Sequence, residues 1–156
     1  MKFLSYLETP MGKIGIAEDG IGISDLFFAR SGLPGFDATN EKTALLERAE
    51  AQLNAYFAGK QKAFDLPLSY HGTAFQMDDW GALLTIPYGE TRSYKQIAEL
   101  IGRPKAYRAV GLANNRNPIS IIIPCHRVIG HDGAMVGYGG GLPVKTFLLE
   151  LEKRNS

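Results

Sequence analysis

The sequence predicts an α/β protein in two parts: a small sheet-plus-helix domain over residues 1–70, then a helix-turn-helix-like domain over residues 71–156. Three observations carry this. Apolar residues in the first third alternate as in strands, and those after Ala74 recur at helical spacing. Two short helical patterns also meet across Gly102. A hydrophobic share of 45% against 21% charged residues is an ordinary globular balance, which excludes a disordered or collagen-like chain.

In the first part, Phe3, Tyr6, Ile14, Ile16, Ile21, Ile23, Leu26 and Phe27 form the strand pattern. Turn-formers at Pro10-Met11-Gly12 and Asp19-Gly20 divide it, and the second pair suits a tight hairpin. A Gly- and Pro-rich loop runs from Ser31 to Asn40. Leu45, Leu46, Ala49, Leu53, Tyr56 and Phe57 then mark one helical face that Gly59 can end. No constellation of reactive groups occurs here, so this part reads as scaffold.

In the second part, Phe75, Trp80, Leu83 and Leu84 form a buried face stopped at Pro87-Tyr88-Gly89. Ser93 with Gln96 has the form of a capping box opening a short helix, with Ile97, Ala98 and Ile101 inward and Gly102 closing it. Pro104 suits the first turn of a further helix on which Ala106, Ala109, Val110 and Ala113 share a face. Such a pattern alone fits any pair of packed helices. Charge placement favours a nucleic-acid surface. From Arg92 to Arg127 stand Arg92, Lys95, Arg103, Lys105, Arg108, Arg116 and Arg127 against the single acid Glu99. That is a local excess of six in a chain whose formal net charge is +1, the footprint of a duplex-binding face.

The sharpest local feature is Ile121-Ile122-Ile123-Pro124-Cys125-His126-Arg127-Val128. Cys125 is the only cysteine, so no internal disulfide forms, and an intracellular, cytoplasmic setting is expected. A lone Cys after an apolar run is often an inert core residue. A base and a cation beside it instead suit an activated thiol. A protease-like dyad has only His71, His126 and His131 to draw on, and no protease signature surrounds the Cys. Metal-ligand spacing is lacking, so no metal is expected. Gly137-Tyr138-Gly139-Gly140-Gly141 is no phosphate loop and reads as a loop that closes over a flat ligand. No apolar stretch reaches the ~20 residues of a membrane span. The stretch Met1 to Glu8 is interrupted too early for a signal-peptide core, so no membrane association is expected.

The segment Pro124-Cys125-His126-Arg127-Val128 resembles the active-site signature of the 6-O-alkylguanine-DNA alkyltransferases. Ile86 to Thr91 with Ser93-Tyr94 is similar to that family's entry to its helix-turn-helix. Arg108-Ala109-Val110-Gly111 is similar to its recognition helix, Asn117-Pro118 to its hinge, and Gly137-Tyr138 through Leu142 to its substrate loop. The match runs in family order from about Phe75 to Glu152, half the chain.

The resemblance implies a winged helix-turn-helix-like DNA-binding domain and a single-turnover transfer. The alkyl group of 6-O-alkylguanine, with 4-O-methylthymine as a further substrate, passes to Cys125 without cofactor. By the same resemblance His126 takes the thiol proton through a water, and Glu152, rather than Glu150, orients the imidazole. Tyr94 helps rotate the nucleotide and donates to the flipped purine, and Asn117 links the two motifs. Arg108 fills the vacated base stack, while Ser93, Tyr94, Ala109, Gly111 and Arg127 meet the DNA. Gly137, Tyr138, Gly139 and Gly140 form the substrate loop, where Gly139 replaces a hydroxyl residue of some relatives. Tyr107, beside the finger, is bulkier than the small residue expected at a minor-groove face. The implied partner is double-stranded DNA carrying the lesion, bound by a monomer. A non-reactive damage binder and a simple helix-turn-helix regulator are the alternatives, and neither accounts for the Cys segment.

Overall fold

The computed structural model describes residues 1–130, 133, 138 and 141–156. Contacts divide it into residues 1–70 with 118–122, and residues 71–117 with 123–156.

In the first unit, the alternating apolar residues make β1 (Lys2–Thr9), β2 (Gly12–Glu18) and β3 (Ile23–Phe28). A short β4 (Ala38–Asn40) arises inside the Gly- and Pro-rich loop. The order is β3-β2-β1-β4, antiparallel except for the parallel β1–β4 pair. Pairing places Ile14 opposite Phe28 and Ile16 opposite Leu26, all four buried. Gly15 stands opposite Phe27, and a Cβ there would come within 2.3 Å of the ring, so glycine is what lets Phe27 lie flat across the strand. Helix α1 (Ala44–Phe57) is capped by the Thr43 hydroxyl and buries Leu46, Ala49, Leu53 and Tyr56 against β1 and β2.

Two expectations change here. Asp19-Gly20 belongs to a four-residue connection in which Asp19 Oδ1 accepts from the amides of Ile21 and Gly22, leaving Ile21 exposed in the turn. Residues 118–122 join this unit because the backbone of Leu26 bonds to Pro118 and Ser120. Within that segment Ile121 has φ 72°, a left-handed conformation costly for a β-branched residue, and the Ile122 amide donates back to Ser120. The isoleucine run is therefore a tightly turned, buried segment.

In the second unit, α2 (Ala74–Leu83) opens with a complete capping box from Thr73 and Gln76. Trp80 and Leu83 are buried as the pattern predicts, but Leu84, at the C-cap, is 40% exposed. Strand β5 (Arg92–Ser93) runs into α3 (Tyr94–Leu100), whose capping box from Ser93 and Gln96 is present. Gly102, at φ 79°, reverses the chain after α3 while its amide and that of Arg103 bond back to Glu99 and Ala98. Helix α4 (Tyr107–Asn115) starts later than Pro104, which lies in the connecting turn. Strand β6 (Val128–Ile129) pairs in parallel with β5, and α5 (Leu142–Asn155) ends the chain. Because β5 leads directly into α3, its cap carries weight. Ser93→Ala is expected to lower stability by about 1 kcal/mol, read as a lower denaturation midpoint with the slope unchanged.

Candidate active site

Cys125 owes its position to its neighbours in the chain. Pro124, at φ −83° and ψ 62°, bends the backbone so that the Cys125 amide donates to the Ile123 carbonyl at 2.8 Å, an inverse γ-turn. A single 3-10 turn, Cys125–Arg127, follows and buries the thiol. Just past α4, Asn117 donates from Nδ2 to the Ile123 carbonyl at 2.7 Å and to Cys125 Sγ at 3.2 Å. Burial pushes the Cys125 thiol up to about 11. The Asn117 hydrogen bond and the Lys145 cation pull it down, whereas Asp79 adds to the rise.

On the same turn His126 is fully buried, with Nε2 2.7 Å from Glu152 Oε2 on α5. Burial takes the imidazole below the ordinary histidine value against the pull of Glu152, so it is neutral at pH 7. A neutral ring that donates from Nε2 to a carboxylate keeps its lone pair on Nδ1. That nitrogen is buried with no hydrogen-bond partner among the described residues.

Glu152 is itself 1% exposed. Burial works to raise its pKa, yet the hydrogen bonds from His126 and Arg127 hold it well below the usual carboxylate range. Arg127 donates from Nε to Glu152 Oε1 at 2.7 Å, from one terminal nitrogen to Oε2 at 3.0 Å, and from the other to the Ile86 carbonyl at 2.7 Å. Gly89, in a turn at φ 80°, adds its amide to Glu152 Oε1 at 3.3 Å. Glu150, the alternative carboxylate, is exposed.

One assignment is corrected. Arg127, counted among the cations facing DNA, is buried with its guanidinium committed to Glu152 and Ile86. It anchors the carboxylate and presents no charge to a duplex. The exposed cations of this unit's charged segment are Lys95, Arg103, Lys105, Arg108 and Arg116. Arg92 is half-buried, 3.1 Å from Glu90.

The remaining site residues fall on or beside the helix-turn-helix. Tyr94, half-buried, begins α3, and burial raises its phenol above the ordinary tyrosine value. The Ser93 hydroxyl accepts from the Gln96 amide as the cap. Arg108, Ala109 and Gly111 lie on α4, Arg108 exposed and the other two half-buried. Tyr107, 46% exposed, carries the Arg108 guanidinium 5.9 Å from its ring centroid. Tyr94, Lys95, Pro104, Lys105, Tyr107 and Gly130 line a cavity of about 540 Å³. Of the substrate-loop residues, Tyr138 is described, half-buried, with burial raising its phenol well above the ordinary value. Gly137, Gly139 and Gly140 lie outside the described residues, as does His131. His71 is exposed.

Sequence reasoning missed Lys145. On α5 and 0% exposed, it donates from Nζ to the Val128 carbonyl at 2.5 Å and sits 5.8 Å from the Tyr94 ring centroid. Burial lowers its pKa to about 8, with Cys125 acting the other way. Among the described residues no cluster of three His, Cys, Asp or Glu is placed to hold a metal ion. No described helix is long and apolar enough to cross a membrane.

Residues 74–154 match the family described as the 6-O-methylguanine DNA methyltransferase DNA-binding domain, and residues 2–70 match its ribonuclease-like domain. The chain is 52% identical to the methylated-DNA–protein-cysteine methyltransferase of Methanosarcina barkeri, covering 98% of each. It is 46% identical to the constitutive enzyme of that name from Bacillus subtilis, over 98% of this chain and 96% of the other. Among solved structures it is similar to Mycobacterium tuberculosis OGT in complex with DNA, with TM-score 0.92 and 47% identity. That match covers 99% of this chain and 94% of the other.

Proposed function

The chain belongs to the 6-O-methylguanine DNA methyltransferase family, and from that premise we propose that it repairs double-stranded DNA by moving the alkyl group of 6-O-alkylguanine onto Cys125. The observation that carries this reading is the pair of hydrogen-bonded series Asn117–Cys125 and His126–Glu152–Arg127, in which the lone thiol is followed in the chain by a neutral imidazole held by a carboxylate. We take it to act as a monomer, and inside the cell, where a lone reactive thiol stays reduced.

The thiol is un-ionised at rest, because burial opposes its charge. His126 Nδ1 takes the proton through a bridging water as the sulfur attacks the alkyl carbon. The S–C bond forms, the bond from carbon to the guanine 6-oxygen breaks, and the electron pair stays with the purine. Tyr94 keeps its phenolic proton because burial raises its pKa, so it is available to donate to the departing base. Lys145 keeps a positive charge near the sulfur through the transfer. Glu152 holds the imidazole and stabilises it once protonated, while Arg127 keeps that carboxylate ionised.

A stacked base is beyond reach of a buried thiol, so the nucleotide is flipped out at a cost of a few kcal/mol. Arg108, exposed on α4, fills the gap left in the duplex. The product is a thioether, a poor leaving group, so each molecule acts once.

Two measurements test this. With methylated duplex in excess, repaired guanine reaches a plateau at one per protein molecule, and continued turnover contradicts the proposal. Arg108→Ala slows repair in duplex by about tenfold or more, since the unstacking cost of a few kcal/mol loses its compensation, while transfer from the free base is unchanged. Equal slowing of both substrates, or a loss confined to affinity, contradicts the finger role.

A further inference from the structure

Behind Cys125 the second unit buries an acid that the transfer scheme does not use. Asp79, on α2, is 0% exposed. With the Asn114 amide oriented so that its nitrogen faces the carboxylate, it donates to Asp79 Oδ2 at 2.6 Å and Oδ1 at 3.2 Å, and to the Val110 carbonyl at 3.1 Å. The next residue on α2, Trp80, donates from its indole to the Ala113 carbonyl at 2.9 Å. Two consecutive residues of α2 therefore grip two consecutive residues in the last turn of α4.

That turn bears directly on the thiol. The Asn114 carbonyl accepts from the Asn117 amide at 3.1 Å. The Asn117 side chain in turn donates to Cys125 Sγ at 3.2 Å and to the Ile123 carbonyl at 2.7 Å. A core position filled by an acid and an amide is unexpected on stability grounds alone, because an apolar pair of the same volume avoids desolvating a carboxylate.

We propose that Asp79 is a positioning residue for the alkyl transfer, setting the place of Cys125 through Asn114, the last turn of α4 and Asn117. This rests on the assignment of Cys125 as the acceptor. The carboxyl also has an electrostatic consequence. Burial pushes it up to about 7, so it carries charge above neutral pH, and that charge opposes formation of the thiolate. Among the described residues, α3, α4 and the Cys125–Arg127 turn make the main contacts with α2. On α3, Lys95 and Glu99 are exposed, as is Arg108 on α4. Asp78 on α2 is exposed and 3.9 Å from Arg103, His126 and Arg127 on the turn are engaged with Glu152, and Cys125 is the group on that turn whose ionisation Asp79 opposes.

Three full-length proteins test the proposal: wild type, Asp79→Asn and Asp79→Leu. Each is assayed for transfer from a 6-O-methylguanine duplex. Each is also assayed for alkylation of the single cysteine by iodoacetamide across pH, read by intact mass. Asp79→Leu, which takes the carboxylate partner from Asn114 and leaves it the Val110 carbonyl, is expected to transfer about 10- to 100-fold more slowly, up to the scale on which an ångström of displacement matters. Asp79→Asn keeps an acceptor for Asn114, so it restores transfer, and without the charge its iodoacetamide profile moves to lower pH.

Wild-type transfer by Asp79→Leu, or slow transfer by Asp79→Asn as well, overturns the proposal. If Asp79→Leu fails to fold, the Asp79→Asn profile decides, and an unshifted profile overturns it. Absence of transfer by wild type sinks the acceptor assignment instead, a failure distinct from either variant's.

Discussion

Cys125→Ser binds duplex DNA as wild type does and accepts no alkyl group. The side chain is buried, so its replacement leaves the exposed cations of the helix-turn-helix untouched. A hydroxyl in the same place accepts the Asn117 hydrogen bond, which keeps the local backbone in place. Chemistry separates the two atoms. The thiol is already pushed up to about 11 by burial, and in the proposed scheme a neutral imidazole deprotonates it only as the new bond forms. A serine hydroxyl is a far weaker acid and a poorer nucleophile toward carbon, and nothing here compensates for that. Incubation with a radiolabelled methylated duplex gives complete loss of label on protein, while electrophoretic retardation of the same duplex persists. Stoichiometric labelling of the variant refutes the assignment.

The second large effect belongs to Glu152. It holds two buried groups at once, Nε2 of His126 at 2.7 Å and the Arg127 guanidinium at 2.7 and 3.0 Å. Glu152→Gln leaves Arg127 as a buried cation without a counter-charge, a change expected to cost about 3–5 kcal/mol. Its single carbonyl oxygen cannot hold both His126 Nε2 and the Arg127 guanidinium as the two carboxylate oxygens do, and the charge that stabilises a protonated imidazole is gone. Transfer is expected to fall by at least about 100-fold, the lower range of a general base's contribution. Chemical denaturation and single-turnover transfer read the two effects separately. Wild-type stability or rate in the variant contradicts them.

The same residues set the acid limit. The folded-state pKa of Glu152 lies below its unfolded value, so its stabilisation is full above the ordinary carboxylate range and is lost progressively as pH falls from that range through the lower folded-state value. His126, also lowered, must be protonated below its ordinary value and adds to the loss on the acid side.

How much of this was legible depended on whether a residue's partner stood nearby in sequence. The Ser93–Gln96 box and the Gly102 turn are local signals, and the structure contains each as read. The Cys125 segment is local too, but burial pushes its thiol up rather than down, and the cation beside it is committed to Glu152. The spacing of α2 named Trp80 and Leu83 correctly but included Leu84, because periodicity does not show where a helix turns away from its core. Arg127 read as one more cation in a basic stripe. Its partner Glu152 stands 25 residues on, and only α5 brings it into place. Lys145 was invisible for a related reason. Lysine is almost never fully buried unless paired, and here it donates to a backbone carbonyl, which no side-chain pattern reveals. Asp79 gives no local signal, because its partner Asn114 lies on another helix. The two-residue strands β5 and β6 are too short for any alternation to announce them.

In the proposed reaction the single thiol is the acceptor and is consumed. The most direct measurement of this is the mass of the Cys125 peptide after incubation with an equimolar 6-O-methylguanine duplex. A gain of the mass of one CH2 group on Cys125, matched mole for mole by restored guanine, is expected. An unmodified Cys125 peptide alongside restored guanine, or the gain on another residue, contradicts it.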